Sequence, residues 1–335
     1  MWKATLYGPQ DLRIEEAPLD TSRLKPNEIW VQTEITAFKI GTDRGNYEGA
    51  EMVPSAPSYP RWVGDSNLGI VRARGENVSR FAPGDRVFAR KPHQSDYIAH
   101  ENEEVIKIPS KVSPEDAVFL GLYHVSAISY WRCHYQPGET VAVVGLGVLG
   151  MAAVALGCSF GARVIAIGNS STRLAMAAKM GAHMAVLSED PDLHRKIEAF
   201  AGPIGVDLVI LTANPWPAYR VAAEVVRTNG RIGILSLPGR GEAPLDFNPL
   251  AMRWLYAKSL TLTAVTVPAP SLYPTPVNRF SLENIAPALL NLMATGSVEP
   301  KRLITHRLPS SRLAEAYEMA LAREKGILGV VFDWH

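Results

Sequence analysis

The chain has 335 residues, 47% hydrophobic and 20% charged, an ordinary globular composition with apolar material for about two domain cores. Disordered, collagen-like and disulfide-built chains are thereby excluded. Lys plus Arg (34) nearly balance Asp plus Glu (33), so no overall field exists to hold a polyanion, and a small molecule is the expected partner rather than nucleic acid.

The N-terminus, Met1-Trp-Lys-Ala-Thr-Leu-Tyr, lacks the apolar core of a signal peptide and soon meets Asp11, Arg13 and Glu15, so export is not expected. The first 120 residues read as short strands and turns with few helical periods: Pro54, Pro57 and Pro60 punctuate a loop, and Pro83-Gly-Asp precedes the strand-like Arg86-Val-Phe-Ala. From about Leu122 the pattern changes to apolar strands alternating with helices. Strands are expected at Thr140 to Val144, Val164 to Ile167, Met184 to Leu187, Leu208 to Leu211, Ile232 to Leu235 and Leu260 to Val265. Helices are expected between them, as at Thr172 to Met180 and Ala218 to Arg227. Strands apolar throughout must be covered on both faces, which predicts an α/β, doubly wound parallel sheet. After Pro268 come a Pro-rich loop, a helix near Leu313 to Arg323 and a last strand, Gly329 to Phe332. The uncharged stretch Val141 to Ala162 is broken by five glycines and reads as strand, turn and buried helix, not as a membrane span. Cys133 and Cys158 are too few for a disulfide framework or a four-cysteine zinc lobe; they read as inert packing and suit a reducing cytoplasm.

Val141-Ala-Val-Val-Gly-Leu-Gly-Val-Leu-Gly places GxGxxG between a strand and a helix. Gly145 allows the tight turn, Gly147 lets the backbone approach a pyrophosphate, and Gly150 lets helix and strand pack closely. With Leu146, Val148 and Leu149 these form the expected dinucleotide cradle at a helix N-terminus, and Thr212 joins the cofactor set. The second strand ends Ile167-Gly-Asn-Ser-Ser-Thr-Arg, without the acid that usually receives the ribose 2′-hydroxyl of NAD. Asn169, Ser170, Ser171 and Arg173 suit a 2′-phosphate instead, so NADP(H) is expected over NAD(H).

With that motif stand Gly41-Thr-Asp, Tyr47-Glu-Gly, Gly64 before Leu68-Gly-Ile-Val, Gly75-Glu-Asn-Val, Pro83-Gly-Asp-Arg-Val and Leu260-Thr-Leu. Together they resemble the medium-chain dehydrogenases/reductases over essentially the full length. The resemblance implies a GroES-like β-rich catalytic domain from residues 1–121 and 267–335, a Rossmann nucleotide-binding domain at 122–266, and a cleft between them. It also implies at least a homodimer, through the edge strand Leu260 to Val265. Zinc-dependent relatives hold the metal through Cys, His and a third Cys, Asp or Glu; the matching positions here are Ile40, Asp65 and Leu120 or Gly121. One carboxylate is not a zinc site. The structural zinc lobe is missing between Val87 and Tyr97, and the relay histidine's place is taken by Gly45. The chain therefore resembles zinc-independent members, similar both to a branch that includes bacteriochlorophyllide dehydrogenases and to quinone and enone reductases.

Without a metal, an acid or donor must meet the substrate oxygen. Lys39 is the candidate general acid/base and Thr42 the relay hydroxyl. Asp65 is expected either to pair with Lys39 or to accept from a ligand hydroxyl. Tyr123 and His124 lie near the lost third ligand, and one of them is expected to face the cleft. His93 and Trp216 are weaker candidates to border substrate and nicotinamide. Three functions remain open: a zinc-independent oxidoreductase acting on a secondary alcohol or ketone of a polar molecule, an NADPH-dependent enone or quinone reductase, and a non-catalytic dinucleotide-binding protein.

Overall fold

The structure, a computed structural model, describes residues 1–49, 58–239, 243, 245, 247–266 and 275–334. It divides into two units, one of Met1–Gly121 with Pro274–His335 and one of Leu122–Tyr273. The loop containing Pro54 and Pro57, and the Pro-rich return with its expected boundary at 267, lie outside the described residues.

The first unit begins with β1 (Trp2–Gly8), β2 (Asp11–Glu16), β3 (Glu28–Phe38), α1 (Ile40–Glu48), β4 (Arg61–Trp62), β5 (Asn67–Arg74), β6 (Arg86–Ala89), β7 (Asp96–His100), β8 (Val105–Lys107) and α2 (Pro114–Ala117). Along β3, Ile29, Val31, Thr33 and Ile35 are buried in alternation, the mark of a strand with one face on a core. α1 is a correction to the reading of this region as strands and turns: Gly41-Thr-Asp lies inside a helix. Its two glycines and polar residues give no apolar stripe, so periodicity was silent there. The helix is held at its ends, Asp43 reaching back to the amide of Lys39 and Gly49 closing the other end at φ +71°.

α3 (Leu120–Arg132) begins at the end of this unit, and the second unit continues with β9 (Thr140–Val144), α4 (Val148–Ser159), β10 (Arg163–Gly168), α5 (Ser171–Lys179), β11 (Met184–Leu187), α6 (Leu193–Ala201), β12 (Val206–Leu211), α7 (Trp216–Val225), β13 (Val226–Ile234) and β14 (Thr261–Ala264). Its six strands form a parallel sheet in the order β11-β10-β9-β12-β13-β14. The order reverses at β9, between β10 and β12, and the crevice beyond those strand ends is where such sheets bind ligands. The expectation of strands buried on both faces holds for β9 and β12, all of whose residues are buried, but not for β11 or β14. Those two are the sheet edges, which helices cover only in part.

The chain returns to the first unit with α8 (Leu282–Ala294), β15 (Ile304–Pro309), α9 (Leu313–Leu321) and β16 (Gly329–Asp333). β16 pairs antiparallel with β3, extending a sheet β15-β16-β3-β5-β6-β8 that β7 joins through β3. α9 packs Tyr317 edge-on against Phe38 of β3, ring centroids 4.8 Å apart, and beside Tyr47 of α1. These contacts seat α1, and with it Lys39. No helix among the described residues is long and apolar enough to cross a membrane. Cys133 is buried just past α3, where burial pushes its thiol up to about 11. Cys158, in α4, donates to the carbonyl of Gly181 at 3.0 Å.

Candidate functional sites

In the second unit, the turn after β9 closes as the glycine spacing requires. Gly145 has φ +100°, and a β-carbon there would lie 2.7 Å from the amide nitrogen of Ala213. A β-carbon on Gly150 would lie 1.9 Å from the Gly145 carbonyl oxygen, so only glycine permits this approach. At Gly147, the N-cap of α4, a β-carbon would meet nothing within 4 Å. That open space in front of free helix N–H groups fits a pyrophosphate. Thr212, expected among the cofactor residues, donates to the Gly145 carbonyl at 2.7 Å and so holds the turn. Leu146 and Val148 are buried and Leu149 half-buried; the Leu146 side chain packs over Gly168.

At the end of β10, Asn169 and Ser171 are exposed, and Ser170, the N-cap of α5, makes no capping bond with its side chain. Arg173 donates to the Leu146 carbonyl at 3.4 Å. Its guanidinium therefore stands between the glycine turn and the end of β10. Tyr123 and His124, on α3, are both fully buried. Trp216, at the start of α7, packs its indole against Gly239, where a β-carbon would come within 2.4 Å of the ring.

The first unit brings a cluster of charges together around Lys39, the N-cap of α1. Lys39 Nζ forms an ion pair with Asp65 Oδ2, with 15% of the lysine side chain and 28% of the aspartate exposed. Pairing, one of the two roles open to Asp65, is thus realised. Arg90 Nη1 approaches the same oxygen at 3.9 Å, and Arg90 Nε donates to Glu104 at 2.9 Å. Burial would raise the Asp65 carboxyl, but the Lys39 and Arg90 charges outweigh it and hold the pKa below the usual carboxylate value. The other oxygen, Oδ1, takes only a 3.5 Å contact from Ser66 Oγ among the hydrogen bonds described. Thr42 is exposed on the first turn of α1.

Two members of this cluster were not singled out by residue type. Asp43 is 3% exposed; burial first and the Asp65 charge second push its carboxyl up to about 7, against the hydrogen bond from the Lys39 amide. Its one sequence signal was its place in Gly-Thr-Asp. Arg90 carried no sequence signal; β6 pairs with β5 in a register that matches Ala89 with Asn67, and this brings Arg90 beside the Asp65-Ser66 segment.

His93, weighed as a substrate neighbour, is wholly buried. Its Nδ1 lies 2.8 Å from Thr36 Oγ1, which accepts from Trp334 Nε1 at 2.9 Å. Thr36 Oγ1 keeps a second lone pair and its own proton, so the direction of the bond to Nδ1 follows the His93 tautomer, and the buried Nε2 has no hydrogen-bond partner among the described residues. Burial, opposed by the Asp65 charge, lowers the His93 pKa to about 4 and keeps the ring neutral.

These residues do not fit a zinc ion. Ile40 and Leu120 offer no ligand atom, and a β-carbon on Gly121 would point at Phe88 and at Arg90, 3.0 and 3.5 Å away. The single carboxylate, Asp65, is already flanked by two cations, whose charge opposes a third. Among the described residues no three His, Cys, Asp or Glu side chains are grouped to hold a metal.

Comparison with known proteins places the chain. A family model described as zinc-binding dehydrogenase matches residues 148–282. The chain is 24% identical to sorbitol dehydrogenase of Bacillus subtilis, with 99% of this chain and 96% of the relative covered. It is 25% identical to quinone oxidoreductase of Pongo abelii, with 93% and 90% covered. The solved structure of 2R,3R-butanediol dehydrogenase from Bacillus subtilis superposes with a TM-score of 0.82 at 20% identity, covering 99% of each chain. Other structural neighbours were solved with NADH and with NADP bound. With its GroES-like and Rossmann units, the chain is similar in sequence and fold to the NAD(P)-dependent oxidoreductases of the medium-chain dehydrogenase/reductase superfamily.

Proposed function

We propose that this protein is a zinc-independent, NADP(H)-preferring oxidoreductase that interconverts a secondary alcohol and a ketone of a polar small molecule. The observation that carries the reading is the ammonium of Lys39, held by Asp65 beside the positions where zinc-dependent relatives keep their metal. When bound, the nicotinamide supplies or accepts the hydride.

In the reducing direction, the carbonyl carbon gains a hydride and its oxygen becomes an alkoxide that must be stabilised and protonated. Lys39 has three N–H donors. One is engaged by Asp65, and another is offered to the substrate oxygen as negative charge develops there. The ammonium then gives that oxygen a proton, completing the alcohol, and recovers one from water. Asp65 keeps the flexible lysine in one orientation, and Thr42 provides a hydroxyl on the same turn through which the proton returns. A hydroxyl elsewhere on the substrate donates to Asp65 Oδ1, which suits a polar substrate. Ser170 and Arg173, beside the glycine turn, receive the 2′-phosphate of NADP(H), and the absence of an acid at the end of β10 supports that preference.

The test is oxidation of NADPH and of NADH against panels of ketones, enones and quinones. Turnover of polar ketones with NADPH preferred is the expected result. Reaction of enones or quinones alone would transfer the protein to that reductase class, and cofactor binding without turnover on any panel would make it a binding protein.

A further inference from the structure

A dinucleotide held at the turn after β9 must lie across the ends of several strands, and one hydrogen-bonded line joins three of those ends. Thr212, just past β12, donates through its hydroxyl to the Gly145 carbonyl at 2.7 Å, tying the loop after β12 to the glycine turn. Two residues on, Asn214 reaches the other way. Its side-chain Oδ1 accepts the backbone amide of Leu237 at 3.0 Å, and its own carbonyl accepts the amide of Gly239 at 2.8 Å. Leu237 and Gly239 belong to the loop after β13, so both bonds run between loops that follow different strands. An asparagine that only shaped its own turn would bond to amides two or three residues away, whereas Leu237 is 23 residues further along the chain.

The loop so held is closely built. The amides of Leu235 and Ser236 both donate to the Leu211 carbonyl at the end of β12, at 2.9 and 3.1 Å. Gly239, at φ +79°, lies against the Trp216 indole, where a β-carbon would come within 2.4 Å of the ring. Trp216 is braced in turn by Tyr219 and Phe247, with ring centroids 6.4 and 6.3 Å away. On the same loop the Ser236 hydroxyl is buried, with no hydrogen-bond partner among the described residues. A buried hydroxyl left unmet is costly, and a polar group of a ligand removes that cost.

The order of the strands identifies the ligand. β9 is the switch point, with β10 on one side and β12 then β13 on the other. When the pyrophosphate lies at the glycine turn and the adenosine ribose at the end of β10, the nicotinamide half of the dinucleotide extends to the opposite side, over the ends of β12 and β13. The loop after β13 then borders the nicotinamide, and Asn214 fixes that loop.

We infer that Asn214 is a positioning residue for the cofactor, joining the loop after β13 to the loop after β12 so that the former stands as a preformed wall against the nicotinamide ring. The inference rests on a nicotinamide cofactor at the glycine turn, and on neither the ketone reaction nor the NADP(H) preference proposed above.

The experiment compares two ligands by calorimetry on the full chain: NADPH, and 2′-phospho-ADP-ribose, which has a hydroxyl in place of the nicotinamide ring. Asn214→Leu keeps the size of the side chain and removes its acceptor. NADPH binding is then expected to weaken by about tenfold and 2′-phospho-ADP-ribose binding by less than about twofold, the scale of one lost positioning bond. Equal weakening of both ligands, or unchanged binding of both, would overturn the inference. If NADH proves the tighter cofactor, the NADP(H) preference fails, and NADH against ADP-ribose makes the same comparison. Should the leucine variant fold poorly, hydrogen exchange of the wild-type protein decides. The Leu237 and Gly239 amides are expected to exchange at least about tenfold more slowly than an unstructured peptide before ligand is added, and to slow further with NADPH but not with 2′-phospho-ADP-ribose. Exchange at unstructured rates, or equal slowing by the two ligands, would refute the preformed wall.

Discussion

The glycine turn after β9 and the charge cluster at Lys39 reach a functional arrangement by opposite means. The turn is made of backbone: its requirements are a positive φ at Gly145, a near-contact at Gly150 and open space at Gly147, all within six consecutive residues. The cluster is made of side chains from α1, the loop after β4 and the end of β6, which meet only after the sheet has formed. The first tolerates no added atom at two positions and is indifferent to charge. The second depends on a balance of charges, with Lys39 and Arg90 set against Asp65 and Glu104.

Substitution can sharpen that contrast. At the turn, Gly150→Ala should destabilise the second unit by on the order of 3 kcal/mol through the clash with the Gly145 carbonyl, seen as a lowered melting temperature together with lost cofactor binding. Gly147→Ala should keep the melting temperature and weaken only dinucleotide binding, measured by calorimetry, because its β-carbon enters space left for ligand. Equal melting temperatures for the two variants would contradict this reading of the turn.

At the cluster, Lys39→Met should cut ketone turnover by about a hundredfold, the usual scale for a lost acid, and leave NADPH affinity nearly unchanged. Lys39→Arg should not restore turnover, since a guanidinium does not give up a proton near neutral pH. Wild-type rates in the Met variant would remove Lys39 from the mechanism.

Arg173→Ala should weaken NADPH binding by about tenfold and NADH binding little, as expected for one charged contact to a 2′-phosphate. Equal losses would show that the arginine serves only the Leu146 carbonyl.

A further effect concerns pH. Asp43 is raised from an ordinary 3.8 to about 7, so between those values the folded chain holds a proton that the unfolded chain has released. Stability from this group therefore falls as pH rises through that window. Asp43→Asn removes the dependence. Its melting temperature relative to wild type should climb between pH 4.5 and 7, by the equivalent of about 1 kcal/mol per pH unit, and then level off. A difference independent of pH would mean that Asp43 is not raised. The groups facing it are Lys39, Asp65 and Tyr317, so the same measurement in Asp65→Asn should show a narrower window.

The opposition between backbone and side-chain sites also explains what the sequence disclosed. A glycine spacing is a local constraint, so the turn, the strands from β9 to β14 and the alternation of helices with them were legible residue by residue. The Lys39 and Asp65 pairing was open to inference only because the resemblance aligned both with a lost metal site. Arg90 needed the β5–β6 register, which no local pattern encodes. Asp43 entered only as part of Gly41-Thr-Asp because α1 carries no apolar stripe, and its burial follows from α9, which arrives from the far end of the chain. The edge strands β11 and β14 read as buried because their apolar residues give no hint of which strand ends the sheet.

Two basic side chains flank the one carboxylate at Asp65, and the proposed reaction uses no metal there. The decisive measurement is elemental analysis of protein purified without added metal, paired with turnover before and after chelation. No stoichiometric zinc and unchanged turnover in chelator are expected; one tightly held zinc per chain, lost together with activity, would overturn the metal-free reaction.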